Sequence, residues 1–164
     1  MDVIDVPLIH AAPIHNQTEN WINDETAYWE FIGKMNWEGL QSLAETPQTL
    51  WLNGRSTQKG KNDEMDSQQA LQLPSSLCMV HVTDAVLCAT KFDANSKLER
   101  RMRFTYMGIA YKLKVTDLMI EASYNDVGEF SIGECLLTIS ISEPYQKNDK
   151  ESCCYKLVAG VIRR

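Results

Sequence analysis

Apolar and polar positions alternate most strictly around a Met107-Gly108 dipeptide. Residues 101–106 and 109–115 read as two strands joined there by a tight turn. That parity sets Phe104 opposite Tyr111 and Tyr106 opposite Ile109. Phe104, Tyr111 and Leu113 then face a core. Arg101, Arg103, Lys112 and Lys114 share the other face, with Arg103 against Lys112 and Arg101 against Lys114. Like charges directly opposed in a sheet are destabilising. The register therefore calls for compensation by neighbouring carboxylates, by solvation or by an anionic ligand.

The flanking pattern predicts further strands at residues 77–92 (bent or broken near Thr83-Asp84), 115–121, 135–142 and 154–162, with a turn region over 125–128. Gly160 inside the last of these suits a bulge. In the first third, residues 3–9 form a short extended run limited by Pro7, and 13–23 read as irregular. Ala27, Tyr28, Phe31 and Ile32 have helical spacing, which predicts a helix from 24 or 25 to 32, capped by Asn23 or Asp24, with Gly33 past its end. A second helix is predicted over 37–45, capped by Asn36 and stopped by Pro47, with Leu40, Leu43 and Ala44 inward. Residues 50–52 read as a short buried strand. The fold class is mainly β with a small α-containing N-terminal part, ending in an antiparallel β-barrel. Three regions follow: an α-containing part (1–52), a polar loop (53–70) and the barrel (71–164). The loop carries Arg55, Lys59 and Lys61, and a stretch of that length with almost nothing apolar is either functional or disordered.

Net charge is −6 over 164 residues, which argues against a general basic nucleic-acid binder. The sign is uneven. Residues 1–50 hold eight acidic residues and one basic, whereas residues 97–164 sum to +2. A basic strip on an acidic protein fits a specific anion site. The N-terminus has no signal-peptide pattern and the longest aliphatic run, from Leu157 to Ile162, is too short to cross a bilayer, so a soluble, cytoplasmic protein is expected. Five cysteines without a C-x-x-C spacing suit a reducing compartment.

Chemistry-bearing motifs are sparse. His81 alternates with Val80 and Val82 and reads as a sheet histidine, while His10 and His15 lack further ligands at a metal-binding spacing. Gly54 to Gly60 resembles a phosphate loop in composition alone. Two polar clusters stand out. Asp117 sits at a strand end, where it either makes a turn or meets a ligand. Gln17, Glu19, Asn20 and Trp21 offer an acceptor, amides and a stacking plane, which suit a nucleobase or a structural network. No catalytic residue, metal site or cofactor is expected, and enzymatic activity is the less favoured reading.

The runs from Arg103 to Asp117, Leu136 to Pro144 and Cys154 to Ile162, preceded by Gln17-Thr-Glu-Asn-Trp21, Leu50-Trp51 and Ser76-Leu77, resemble the bacterial dual OB-containing domain family in composition and order. The resemblance covers nearly the whole chain and implies OB-like barrels and nucleic-acid or nucleotide binding. Family members typically begin with a further segment bearing a cysteine-containing strand and a Trp-Ile-Arg-Pro-like motif. This chain opens after it, which implies an incomplete first OB-like unit within residues 1–52.

The expected function is a non-enzymatic binding module for single-stranded nucleic acid or a nucleotide. Arg101, Arg103, Lys112 and Lys114 would meet phosphates, joined by Arg55, Lys59 and Lys61. Gln17, Glu19, Asn20, Trp21 and Asp117 are candidate ligand-binding positions. The pleat places Tyr106 and Tyr111 in the core rather than against bases. The alternative is a protein-interaction or structural domain that uses the acidic N-terminal half and an unpaired barrel edge; a second alternative is a component of a nucleic-acid-modifying system.

Overall fold

Strands account for most of the chain, and the two halves use them differently. The computed structural model describes residues 1–91, 93, 95–148 and 151–164. In the first third, β1 (Asp2–Asp5) and β2 (Leu8–Ala11) are one extended run divided at Pro7. They are followed by β3 (Trp21–Asn23) and β4 (Glu30–Lys34). β1 pairs antiparallel with β4, and β2 with β3, as two separate two-stranded sheets.

The helix expected over 24–32 is therefore absent, and so is the irregular character of residues 21–23. Asp24 Oδ1 accepts from Thr26 N–H at 2.9 Å and from the Thr26 hydroxyl at 2.6 Å. That local turn competes with helix entry, and the aromatic and β-branched residues after it extend along β1 instead.

The helix expected over 37–45 is the shorter α1 (Trp37–Gln41), with Asn36 capping Gly39 N–H at 2.9 Å. It stops early because Glu45 is taken by a later strand: Glu45 N–H donates to Met79 O at 2.7 Å and its carboxylate accepts Met79 N–H at 3.2 Å. Leu43, expected inward, is exposed. Residues 50–52 are buried or half-buried but form no strand, since Trp51 has a positive φ of 53°. The 53–70 segment is ordered around β5 (Glu64–Asp66) and α2 (Ser67–Ala70).

The larger sheet contains β6 (Leu77–Thr90), β7 (Glu99–Tyr106) and β8 (Ile109–Val115). After α3 (Leu118–Ser123) it continues with β9 (Gly128–Ile141), β10 (Tyr145–Asn148) and β11 (Glu151–Arg163). Phe92, the last residue of the run expected from Leu77, lies outside the described residues. β6 pairs with β7 and β7 with β8; β8 pairs with β11, β11 with β9, and β9 returns to β6. β5 and β10 add to β11.

The β8–β11 contact is parallel, so the sheet is mixed rather than antiparallel throughout. Residues 115–121 do not continue as a strand. Asp117 Oδ1 caps α3 through Met119 N–H at 2.8 Å and Ile120 N–H at 3.2 Å. The irregularity expected near Thr83-Asp84 is a register shift between Val82 and Ala85, and the Gly160 bulge is present.

The hairpin register agrees with its pattern at every pair from Arg101↔Lys114 to Tyr106↔Ile109. Met107 and Gly108 both have positive φ, 48° and 75°, as a primed two-residue turn requires. Phe104 and Tyr111 stack at 5.4 Å within a core that includes Leu87, Met102, Leu137 and Val158. The Tyr111 hydroxyl reaches out of that core to Leu50 N–H at 3.2 Å and Asn53 Nδ2 at 3.0 Å, tying the chain before β5 to the sheet.

Candidate functional site

Alternation along β7 and β8 delivers two cross-strand rows to one face. Arg103 lies opposite Lys112, and Arg101 opposite Lys114. The first row is extended by the 53–70 segment. Lys61 N–H donates to Lys112 O at 3.1 Å and Lys112 N–H to Lys61 O at 3.0 Å, so the two lysines are an antiparallel bridge pair with side chains on the same side. The loop and the hairpin thus contribute to a single cationic face.

Not all of these charges are free. Arg101 is 12% exposed and donates NH1 to Asp63 at 2.8 Å and Nε to Glu99 at 2.7 Å. Lys59 meets the other oxygen of Glu99 at 2.6 Å. Arg55 contacts Glu64 at 2.9 Å and also Glu151, while Lys147 meets Glu64 at 2.6 Å. Burial pushes the Glu64 carboxyl up, but the bonds from Lys147 and Arg55 outweigh it and leave it below the usual value. The same Glu64 and Glu151 contacts raise the Arg55 guanidinium. Arg55, Lys59 and Arg101 therefore hold the 53–66 segment against the sheet.

Arg103 pairs with Glu129 at 3.0 Å, but both side chains are more than half exposed, where such a pair contributes little. Among the described residues, no salt bridge involves Lys61, Lys112 or Lys114.

The other candidate positions have structural partners. Glu19 accepts Ser76 N–H at 3.2 Å and also bonds the Ser76 hydroxyl, and Asn20 Nδ2 donates to Gln17 at 2.9 Å. Trp21 sits on β3 with half its surface exposed. Besides capping α3, Asp117 accepts Val161 N–H at 2.8 Å through its second oxygen. His81 bonds Glu134 at 3.0 Å and Gln41 at 3.4 Å, consistent with a sheet histidine.

Sequence reasoning passed over Asp63, Glu64 and Lys156, all buried. For Lys156 the signal was its parity: it shares the inward side of β11 with Cys154 and Val158. Its ammonium donates to Asn53 Oδ1 at 2.7 Å and lies 5.3 Å from the Tyr111 ring centre. Burial pulls its pKa down to about 8. Burial also pushes the Cys78 and Cys135 thiols up to about 12. All five cysteines are free and buried.

A family model described as a dual OB-containing domain matches residues 1–161. The chain belongs to the dual OB-containing domain family. No curated protein and no solved structure gives a significant match. Among the described residues, no helix is long and apolar enough to cross a membrane.

Proposed function

We propose that this dual OB-containing domain protein is a non-enzymatic binding module, holding single-stranded nucleic acid or a nucleotide through phosphate contacts on the β7–β8 face. In this reading the circuit β6–β7–β8–β11–β9 is an OB-like barrel within residues 71–164, with β7 and β8 as its second and third strands. The observation that carries the reading is the convergence of Lys61, Lys112 and Lys114, without carboxylate partners among the described residues, beside the exposed Arg103. Phe104, Tyr106 and Tyr111 are buried, so recognition rests on backbone charge rather than on base stacking. Binding is accordingly tolerant of sequence and strongly salt-dependent.

The test is a titration of labelled single-stranded DNA at several salt concentrations. Four neutralised phosphates give a log–log slope of about −2.8, and changing Lys61→Gln together with Lys112→Gln lowers its magnitude by about 1.4. Absence of binding at low salt, or unchanged binding by the double variant, sinks the reading.

A second reading is favoured by one observation. Ile4, Trp21, Tyr28, Trp29, Phe31 and Ile32 are all exposed in the first 32 residues, and Asp5 faces Glu30 across β1–β4. An apolar surface of this kind, flanked by unmatched carboxylates, suits an extended basic segment of another protein added along a strand edge. Asp5→Lys with Glu30→Lys would abolish capture of a lysine- and valine-alternating peptide. Equal binding by this variant and the wild type counts against that surface.

A further inference from the structure

β8 and β11 pair over only two positions, Leu157↔Lys114 and Val158↔Val115. On either side the partners change: Lys112 bridges to Lys61, and the start of β11 pairs with β5. A recess of about 460 Å3 lies at this junction, lined by Thr57, Arg101, Lys114, Thr116, Ser142 and Tyr155, with Asp63 and Glu99 in its wall. We propose that this recess receives the terminal phosphate of a bound strand, an inference that rests on the β7–β8 reading and deepens it.

The charges in the recess sum in favour of an anion. Asp63 is saturated by Thr57 N–H at 2.8 Å, the Thr57 hydroxyl at 2.6 Å and Arg101 NH1 at 2.8 Å. Glu99 is matched by Arg101 Nε and Lys59. These two acids and two bases cancel; the Lys114 ammonium is left over, together with the buried Lys156, which also lines the recess and donates to Asn53 Oδ1. Arg101 spends Nε and NH1 on those acids, and among the described residues its NH2 has no acceptor. NH2 and Lys114 Nζ are therefore the free cationic donors. The Thr116 hydroxyl, held among the described residues only by a 3.4 Å contact to Val158 O, is free to turn toward a phosphate oxygen.

Lys114 belongs both to the cationic face and to the recess, which makes the recess the end of the strip rather than a separate site. A phosphate within a continuous strand needs two exits along the backbone. β11 and the 57–63 segment flank this recess, which favours a chain end. A terminal phosphate monoester also carries more charge than an internal diester, and charge-assisted bonds from arginine and lysine gain most from it.

The experiment compares labelled twelve-nucleotide single strands carrying a 5′-phosphate, a 3′-phosphate or only hydroxyl ends, by anisotropy at one salt concentration. One phosphorylated end is expected to bind about tenfold more tightly than hydroxyl ends, the effect of one charged hydrogen-bonded contact. Thr116→Val should erase that preference while hydroxyl-ended strands bind as they do to the wild type; Lys114→Gln should erase it and also weaken hydroxyl-ended strands, since Lys114 serves the β7–β8 face as well. Arg101 is left intact because its loss would disturb Asp63. Equal binding of all three strands overturns the recess and leaves the β7–β8 reading standing. Binding of inorganic phosphate that shifts the Lys114 and Thr116 amide resonances, without any oligonucleotide binding, leaves an anion site in the recess but overturns the bound strand and with it the terminal-phosphate proposal. If neither binds, both readings fall.

Discussion

The Asp63 carboxylate lies 2.8 Å from the guanidinium of Arg101, with Asp63 2% exposed and three donors upon it. This contact turns a central cation of the β7–β8 face into an anchor for the 53–66 segment. Without Asp63, Arg101 keeps Glu99, but its NH1 and both Thr57 donors lose their buried acceptor. Asp63→Ala is therefore expected to lower stability by about 2–3 kcal/mol. Arg103→Ala, at an exposed pair, is expected to change it by less than about 1 kcal/mol. Urea unfolding of the two variants checks the contrast, and similar losses would contradict it.

Gly60 sits under that carboxylate. A Cβ at this position would lie 1.8 Å from Asp63 Oδ2, closer than any real contact. Gly60→Ala therefore has to displace the Asp63 side chain from Arg101 and Thr57. The expected loss approaches that of Asp63→Ala, and the double variant adds little to either single one, since the two changes disrupt the same contact. Additive losses in denaturant melts would show that Gly60 acts elsewhere.

Lys156 gives stability a pH dependence of definite sign. Its folded pKa of about 8 lies below its ordinary value of 10.5, because burial disfavours the ammonium. Both states are protonated below pH 8. Above it the folded protein releases a proton that the unfolded chain retains, so this group makes stability rise between about pH 8 and 10.5. By pH 9 its contribution is about 1 kcal/mol relative to pH 7. The buried thiols Cys78 and Cys135 act in the opposite sense at higher pH, as their folded pKa values are raised to about 12. The measurement is therefore the difference between wild type and Lys156→Met across pH 7–9. Parallel curves would refute the assignment.

Met107 occupies a left-handed conformation, φ 48°, for which asparagine and glycine are better suited. Met107→Asn is expected to stabilise the hairpin by some tenths of a kcal/mol to about 1. Gly108→Val, forced to φ 75°, should destabilise it by more than about 1 kcal/mol. Thermal melts that rank these variants in the reverse order would exclude a primed turn.

The hairpin was legible because its determinants are local. A period of two and a turn of fixed length leave one register that buries Phe104 and Tyr111. The failure at residues 24–32 has a local cause of another kind: apolar spacing suited a helix, but the Asp24 side chain made its own turn and β1 supplied a pairing partner. Asp117 was recognised as a turn-maker, yet its role as a helix cap ended a strand that the apolar run 115–121 had suggested.

The chain by itself determined that Arg101, Arg103, Lys112 and Lys114 share one face, since side-chain direction in a strand follows from parity. Only the tertiary structure decided which of them remain free. Arg101 meets a carboxylate 38 residues away, Arg103 one 26 away and Lys59 one 40 away. Lys61 reaches the face only through its bridge to Lys112. Charge pairing depends on distance through space, and segments so far apart in sequence come together only when the strands assemble into the sheet.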